Sequence, residues 1–587
     1  MGKKNNTFDS IIQLAIVLTV VFGGAGSLIS GSIDFIFNLI KYLSIAGGIG
    51  FIVYKIHDGW NSGKLNKTAL YSNIGLLLLL LIAGWYLFPV IVSDFIYQGI
   101  YLHIPHLIIV GIGLGIGYIT FISFISKFDG LRKYEMKQLL TGKKLALAAL
   151  YFFAVVSIII GGPFGIKYLT DWKTAESFAF EKRESIIKVN KSAIRYTPRE
   201  VAFKEMIGGF SSSEYQILGE LTNAVKLNDG SFGYVTPIVP DGMINIYRKE
   251  NDGYVVYNDS NTIKEEDRIK RTKQLQTYGE EMEWLDNIWR QLYLADMFST
   301  YSNIIYLQID SKDKTKRVAV APKVKYEWKL PFVLVPYWAG VTLVYDDGKV
   351  ETLSVEEATA DPRLKNVRLF PSALEQKYTS VQIYDQGFIG AFYRREGKIS
   401  IPILPGNNQM PFYTPSVNGN DYFVTLTVPD GGSDAMFRIY YINTYNGERS
   451  YYEFGINSQT LGPIAALEQA KSLAGYKWIE EDDANQDGNF RIIEPTYLTK
   501  GEKIYLKFSI TPRSYRGVTS TVVVDLSARS IKEYKSRTEF FAWLHNGEYT
   551  SNNSVRVDFF QKAMNMINEG TRMIKEGQNL LMQDKMK

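Results

Sequence analysis

The chain has 587 residues, with 65 basic and 60 acidic side chains and a net charge of +5. The charges do not gather into a basic, aromatic-interleaved stretch of the kind that binds nucleic acid, so that class of partner is excluded. There is no cysteine, which excludes disulfide bonds, thiolate metal sites and a cysteine nucleophile. The 39 Tyr and 33 Phe are typical of a protein with many β-strands.

Five long apolar segments occupy the N-terminal part of the sequence. Each is long enough to cross the ~30 Å hydrocarbon core of a bilayer as a helix. The segments are residues 11–29, 33–54, 70–92, 107–126 and 145–166. The links after the second and fourth segments carry Lys or Arg, and those after the first and third carry neither. Because positive loops stay in the cytoplasm, the pattern predicts a plasma-membrane protein with five spans, a cytoplasmic N-terminus and an extracytoplasmic C-terminal region.

Small residues recur within the fourth of these segments. Gly111 and Gly115, and likewise Gly113 and Gly117, are four residues apart. Such spacing lets the backbones of two helices approach closely. The glycines therefore predict tight packing, either inside one bundle or between copies of the chain.

The sequence after the last apolar segment divides into three parts. We predict a transmembrane domain over residues 1–170, a helical stalk and first α+β domain over 171–329, a second strand-rich region over 330–547, and an amphipathic helix over 548–587. In the last part apolar pairs recur every seven residues, from Phe559-Phe560 to Leu580-Leu581. Such a stripe needs a partner, which is either the protein's own domain or a second copy.

Three short patterns in the strand-rich region predict β-hairpins. In each, a strand ends near Asp or Asn, a tight turn follows, and a second strand begins. The turns lie at Asp346-Asp347-Gly348, at Asn446-Gly447 and at Ser527-Ala528-Arg529. The uncharged run 330–345 precedes the first turn, and its two prolines and Gly340 predict two buried strands around a turn. The predicted fold is a five-span helical membrane bundle followed by an extracytoplasmic α+β region with repeated helix and β-hairpin units.

Residues 463–534 combine an Ala-rich helix, a strand at 503–510 and a closing Val-Val-Val-Asp strand, turn and strand. This arrangement resembles a PepSY-type domain, with Ser527-Ala528-Arg529 in place of the family's usual Thr-Gly turn. The resemblance implies an extracytoplasmic domain of a membrane protein with a regulatory or protein-binding role. It implies no catalytic residues.

One insertion in this unit matches the twelve-residue calcium-loop pattern. The predicted ligands, listed in order, are Asp483, Asn485, Asp487, the carbonyl of Asn489, and Glu494. Gly488 occupies the position of the sharp turn, as this loop requires. Pro495 prevents the helix that usually follows, so the site would be a calcium loop without a complete EF-hand. The alternative is a solvated, charged hairpin turn that binds no metal.

Signals for catalysis are sparse beyond residue 170. His545 is the only histidine there, and no G-x-S-x-G, H-E-x-x-H or P-loop motif occurs. A pair of carboxylates could still serve a glycosidase, because such pairs need no proximity in sequence. We therefore expect a non-catalytic binding, regulatory or scaffold protein. The alternatives are a cell-envelope hydrolase and a subunit of a transport or secretion complex, and the expected partners are the lipid bilayer and a protein or second copy.

Overall fold

The computed structural model describes residues 164–545 with internal gaps, together with residue 162 and scattered residues between 92 and 116. The gaps are 228–230, 243, 249, 261–262, 273–275, 283–285, 310–315, 332, 366, 385–386, 388–397, 407, 409, 431–433, 456–458 and 480–487. Most of the five predicted spans and the predicted C-terminal helix 548–587 lie outside the described residues.

The prediction of a five-span helical bundle is wrong. In the described part of the chain, no helix has both the length and the apolar composition that crossing a membrane requires. The fold of those residues is mainly β-sheet, with short helices between the strands. Of the third and fourth apolar segments, residue 92 is π-helical and the described residues between 108 and 116 are α-helical, and a 3-10 turn at Tyr101–His103 lies in the link between the two segments. The length of an apolar run does not by itself determine whether it forms one continuous helix.

The structure contains short helices and twenty-one strands within the described residues. The α-helices are α1 (Arg199–Gly208), α2 (Asn245–Arg248), α3 (Ile288–Ala295), α4 (Val355–Ala360), α5 (Ser372–Ser380), α6 (Pro463–Lys471) and α7 (Arg537–Leu544). The strands are β1 (Glu181–Arg183), β2 (Tyr215–Gln216), β3 (Asn223–Lys226), β4 (Phe232–Pro237), β5 (Val239–Pro240), β6 (Tyr254–Asn258), β7 (Ile269–Thr272), β8 (Thr300–Tyr301), β9 (Ile305–Ile309), β10 (Lys316–Leu330), β11 (Val333–Tyr345), β12 (Val350–Leu353), β13 (Ile399–Ser400), β14 (Phe412–Pro415), β15 (Asp421–Pro429), β16 (Arg438–Asn443), β17 (Arg449–Glu453), β18 (Phe490–Lys500), β19 (Lys503–Pro512), β20 (Ser520–Asp525) and β21 (Ser530–Tyr534).

Four sheets build the described structure, and β2 and β5 form a separate pair. The first sheet has the order β3-β4-β6-β7 and the hairpin sheet has the order β12-β11-β10-β8, with β9 also on β10. The six-stranded sheet has the order β1-β17-β16-β15-β13, with β14 also on β15, and the C-terminal sheet has the order β18-β19-β20-β21. Neighbouring strands run antiparallel except β1, which lies parallel to β17.

The three predicted hairpins are confirmed. They are the antiparallel pairs β11–β12, β16–β17 and β20–β21. Gly348 and Gly447 have φ of 82° and 72°, and Arg529 has φ of 53°, so each turn uses the left-handed conformation that tight hairpin turns demand. The predicted helix that begins at Pro463 is α6, which starts with proline at its first position.

Two other local predictions are corrected. The helical stalk predicted after residue 170 ends at residue 177, and Glu181–Arg183 form β1 instead. Within the run 330–345, residues 333–345 form one long strand, β11, rather than two strands around a turn. The predicted boundary at 329/330 therefore falls at the end of β10, inside the β10–β11 hairpin. β1 pairs with the distant strand β17, whereas β11 pairs with its sequence neighbours β10 and β12.

The six-stranded sheet separates two hydrophobic cores. Phe423 and Ile442 face a core shared with the first sheet, the hairpin sheet and helices α1, α4 and α5. Tyr422 and Tyr441, one residue along each strand, face a core shared with the C-terminal sheet, α6 and α7. This alternation follows from the two-residue period of a β-strand. The sheets are therefore packed in layers around the six-stranded sheet.

Candidate functional site

The predicted calcium ligands are divided between described and undescribed parts of the chain. Asp483, Asn485 and Asp487 lie in the gap 480–487. Glu494 lies in β18 with φ of 46°, and its carboxylate is 3.7 Å from the guanidinium of Arg195. The carbonyl of Asn489 accepts a hydrogen bond from the backbone N–H of Arg513. Two of the five predicted ligands thus contact other parts of the protein, and the calcium hypothesis stays a prediction.

The contacts of Glu494 belong to a buried charge cluster between the first sheet and the C-terminal sheet. At its centre is Asp259, whose side chain is fully enclosed. The carboxylate accepts hydrogen bonds from the backbone N–H groups of Tyr196 and Thr197, at 2.7 and 3.1 Å, and from the Thr197 hydroxyl. It also forms ion pairs with Arg268 and with Arg537 of α7, at 3.8 and 3.0 Å. The cluster therefore ties α7 to the loop that follows β6.

Lys507 of β19 brings a further buried charge into this region. Its ammonium group donates to the carbonyls of Arg195 and Tyr196 and to the hydroxyl of Ser509, at 3.1, 2.9 and 3.1 Å. Burial lowers the pKa of Lys507 to about 7. Burial also raises the pKa of Glu494, although Arg195 opposes that shift. Such shifts are common at catalytic sites, but they also arise in structural networks.

Burial also raises the pKa values of two carboxyl groups elsewhere in the protein. Burial raises the pKa of Glu375 to about 7, against hydrogen bonds from Thr425 and Thr379. Burial raises the pKa of Glu280 to about 7, against a hydrogen bond from the Tyr306 hydroxyl. Both acids lie inside the protein and contact its own hydroxyl groups. The described residues contain no group of three His, Asp or Glu that could hold a metal ion.

Large apolar side chains remain exposed at the far end of the β10–β11 hairpin. We call Phe298, Trp328 and Leu330 the hairpin-end surface. Phe298 is 59% exposed, and Trp328 and Leu330 are each 40% exposed. Ion pairs lie close behind them, from Lys325 to Asp296 and from Lys329 to Glu327, at 2.8 and 2.7 Å. An exposed aromatic and aliphatic patch of this kind marks an interaction surface.

The chain's own N-terminal part contacts the hairpin-end surface. The Tyr97 ring meets Phe298 edge-on, with 5.9 Å between ring centroids. The indole N–H of Trp328 donates to the Tyr101 hydroxyl at 2.9 Å. Beyond Tyr101, the exposed residues Ile108, Ile112 and Ile116 recur at four-residue intervals of a helical stretch.

Sequence reasoning missed both the charge cluster and the hairpin-end surface. The residues of the cluster come from 194–197, Asp259, β18, β19 and α7, so no short window contains them. The hairpin-end surface had one usable signal, the run Tyr326-Glu327-Trp328-Lys329-Leu330, which alternates apolar and charged residues. That period indicates a strand with one apolar face.

No family model matches the chain, and no curated protein matches its sequence.

Proposed function

We propose that the described domains form a non-catalytic binding or scaffold protein that rests on a lipid surface through its hairpin end. The observation that carries the proposal is the exposure of Phe298, Trp328 and Leu330, together with the contacts of Tyr97 with Phe298 and of Tyr101 with Trp328. Trp and Tyr favour the boundary between lipid and water, because each has an apolar ring and a polar group that reaches water. The proposal concerns contact at the interface and involves no membrane-crossing helix.

The energetics favour such a contact. Burying a large apolar side chain in full stabilises a complex by about 1.5–3 kcal/mol, and several of them lie together here. The nearby lysines are already paired with Asp296 and Glu327. Their charges therefore stay compensated when the surface approaches lipid. The long stems of Lys325 and Lys329 can also keep their ammonium groups in the headgroup region.

A binding role also agrees with the layered sheets of the rest of the protein. The C-terminal unit has the helix and the closing hairpin that suggest a PepSY-type domain, in the order α6, β18 to β21, α7. We propose that this unit carries the regulatory or protein-binding role that such domains have. Its ionisable groups with shifted pKa values, Lys507 and Glu494, support a structural use because both contact groups of the protein itself.

Site-specific labelling can test the lipid contact, because the chain has no cysteine of its own. Phe298→Cys and Leu330→Cys would each be spin-labelled in the full chain and reconstituted into phosphatidylcholine and phosphatidylglycerol vesicles. We expect both labels to collide with oxygen, which concentrates in lipid, and to be shielded from a water-soluble nickel complex. The measurement is power-saturation electron paramagnetic resonance.

Ile403→Cys is the matched control, since Ile403 is 85% exposed and lies away from the hairpin, after β13. Its label should collide freely with the nickel complex. If the labels at 298 and 330 behave like the control, the hairpin end faces water and the proposal fails. Shielding from both reagents would mean that protein covers the surface, which also contradicts a lipid contact.

A further inference from the structure

The C-terminal sheet has two edge strands, β18 and β21, and other segments of the chain bind the first of them. The side-chain amide of Asn408 donates to the carbonyl of Ile492 at 2.9 Å. The backbone N–H of Val189 donates to the hydroxyl of Thr499 at 2.8 Å. Ile492 and Thr499 both belong to β18, and β14 packs beside this strand. The β18 edge is therefore already in use within the protein.

The strand at the opposite edge, β21, pairs with β20 alone. Its five residues, Ser530 to Tyr534, are matched one to one with residues 525–521. In an antiparallel strand, alternate N–H and C=O groups point away from the paired neighbour. Within the described residues, these outward groups of β21 have no hydrogen-bond partner. Ser530 and Lys532 are exposed, so the β21 edge is a template to which another strand can add.

The charges along the β21 edge are mostly positive. Lys532 is exposed at the centre of the strand, and in the described part of the chain it forms no ion pair. Arg529, in the turn before β21, donates to the backbone carbonyl of Gln459 and not to a carboxylate. The one acid of the strand, Glu533, already accepts a 2.6 Å hydrogen bond from Lys535. A strand that adds to this edge therefore meets positive charge that lacks a matching carboxylate.

We propose that β21 is the docking edge for an extended, acidic segment of a partner protein, which adds to the C-terminal sheet as a fifth strand. The inference rests on the protein-binding role proposed above for the C-terminal unit, and it names the surface and the kind of segment. Main-chain hydrogen bonds to the open edge supply the attachment. A carboxylate opposite Lys532 supplies the preference for an acidic segment. A second copy of the chain is a poor occupant, because antiparallel self-pairing centred on β21 places two copies of Lys532 opposite each other.

The test measures the binding of three fluorescent peptides of equal length to the full chain by fluorescence anisotropy. The acidic peptide alternates glutamate and valine, the basic peptide has lysine in place of glutamate, and the third is the acidic peptide with every backbone amide N-methylated. We expect saturable binding of the acidic peptide alone, with slower amide hydrogen exchange at residues 530–534 in the complex. Lys532→Glu should weaken the binding of the acidic peptide about tenfold and should instead bind the basic peptide.

Lys477→Glu is the matched control, because it makes the same change of charge at an exposed position of the same unit. This variant should bind the acidic peptide like the natural chain. If the N-methylated peptide binds as well as the acidic one, or if Lys532→Glu alters nothing, the peptide binds elsewhere. The docking edge is then wrong, while the protein-binding role of the unit stands. If the acidic peptide shows no saturable binding, the docking edge is also wrong, and the lipid contact is judged separately by the spin labels at 298 and 330.

Discussion

Lys507 is a single residue whose charge state is coupled to folding. Its side chain is enclosed, and three oxygens of the protein accept hydrogen bonds from its ammonium group. Burial lowers its pKa most, Asp259 and Glu494 raise it, and Arg195 and Arg537 lower it. The balance leaves the pKa at about 7, well below the value near 10.4 of an unfolded lysine. Between these two values the unfolded chain holds a proton that the folded protein releases.

The sign of the resulting pH dependence follows from that difference. The cost of burying the charge is fully present below about pH 7, and it falls as pH rises toward about 10. The free energy of unfolding should therefore rise with pH across this window, by up to ~1.4 kcal/mol per unit from this residue. Lys507→Met should remove that part of the slope. Urea unfolding at several values between pH 7 and 9.5 would measure it.

Lys477→Met provides the control, because Lys477 is exposed on the same C-terminal unit. This variant should keep the slope of the natural chain. Equal slopes in all three proteins would mean that Lys507 carries its proton throughout, and the interpretation of its burial would be wrong.

At the scale of an element, the β10–β11 hairpin contains an irregularity in its strand pairing. Its register shifts between Pro322 and Val324, where two residues of β11, Ala339 and Gly340, lie opposite one residue of β10, so that β11 has one extra residue. Gly340 has φ of 101°, and the indole N–H of Trp338 donates to its carbonyl at 2.9 Å. A bulge of this kind keeps a long strand continuous, so the glycine that suggested a turn instead allows one strand.

A methyl group at this bulge should be poorly tolerated. A Cβ on Gly340 would lie 2.0 Å from the carbonyl oxygen of Leu353. Gly340→Ala adds this clash to the strain of a positive φ, and it should reduce the free energy of unfolding by more than about 2 kcal/mol. Chemical denaturation would measure the loss.

Gly501 offers a matched comparison. It also has a positive φ, 64°, in the turn between β18 and β19, but a Cβ there meets no atom within 4 Å. Gly501→Ala should therefore cost only about 1–2 kcal/mol, the strain of the left-handed conformation alone. If Gly340→Ala and Gly501→Ala lose the same free energy of unfolding, the carbonyl of Leu353 does not restrict the side chain at position 340.

At the scale of the whole molecule, the buried charge cluster joins parts that are far apart in sequence. Asp259 follows β6 of the first sheet, and its partner Arg537 begins α7 beside the C-terminal sheet. The Arg537 guanidinium also donates to the backbone carbonyl of Asp259. Removing one member of a buried ion pair is more harmful than its attraction alone suggests, because the other charge remains without compensation.

Asp259→Asn should therefore destabilise the protein by about 3–5 kcal/mol, because Arg268 and Arg537 would lose their shared carboxylate. Equilibrium denaturation would measure the change. Asp267→Asn is the control, since Asp267 is exposed in the same region of sequence and should cost less than about 0.5 kcal/mol. A mild effect of Asp259→Asn would show that the cluster does not hold the sheets together.

The sequence by itself determined the local features of this protein. The hairpin turns were predictable because Gly348 and Gly447 meet a conformational demand that involves only neighbouring residues. The start of α6 at Pro463 was predictable for the same reason. Such features depend on a few consecutive residues, so a single sequence contains enough information to locate them.

Only the tertiary structure decided which elements meet. β1 is a strand because β17, some 270 residues later, pairs with it, although its own sequence is typical of a helix. Glu494 lies 3.7 Å from Arg195, a residue much earlier in the chain. The five-span prediction is wrong, because no helix in the described part of the chain is long and apolar enough to cross a membrane. Pairing, burial and charge compensation depend on residues that are distant in sequence, and a local pattern does not contain that information.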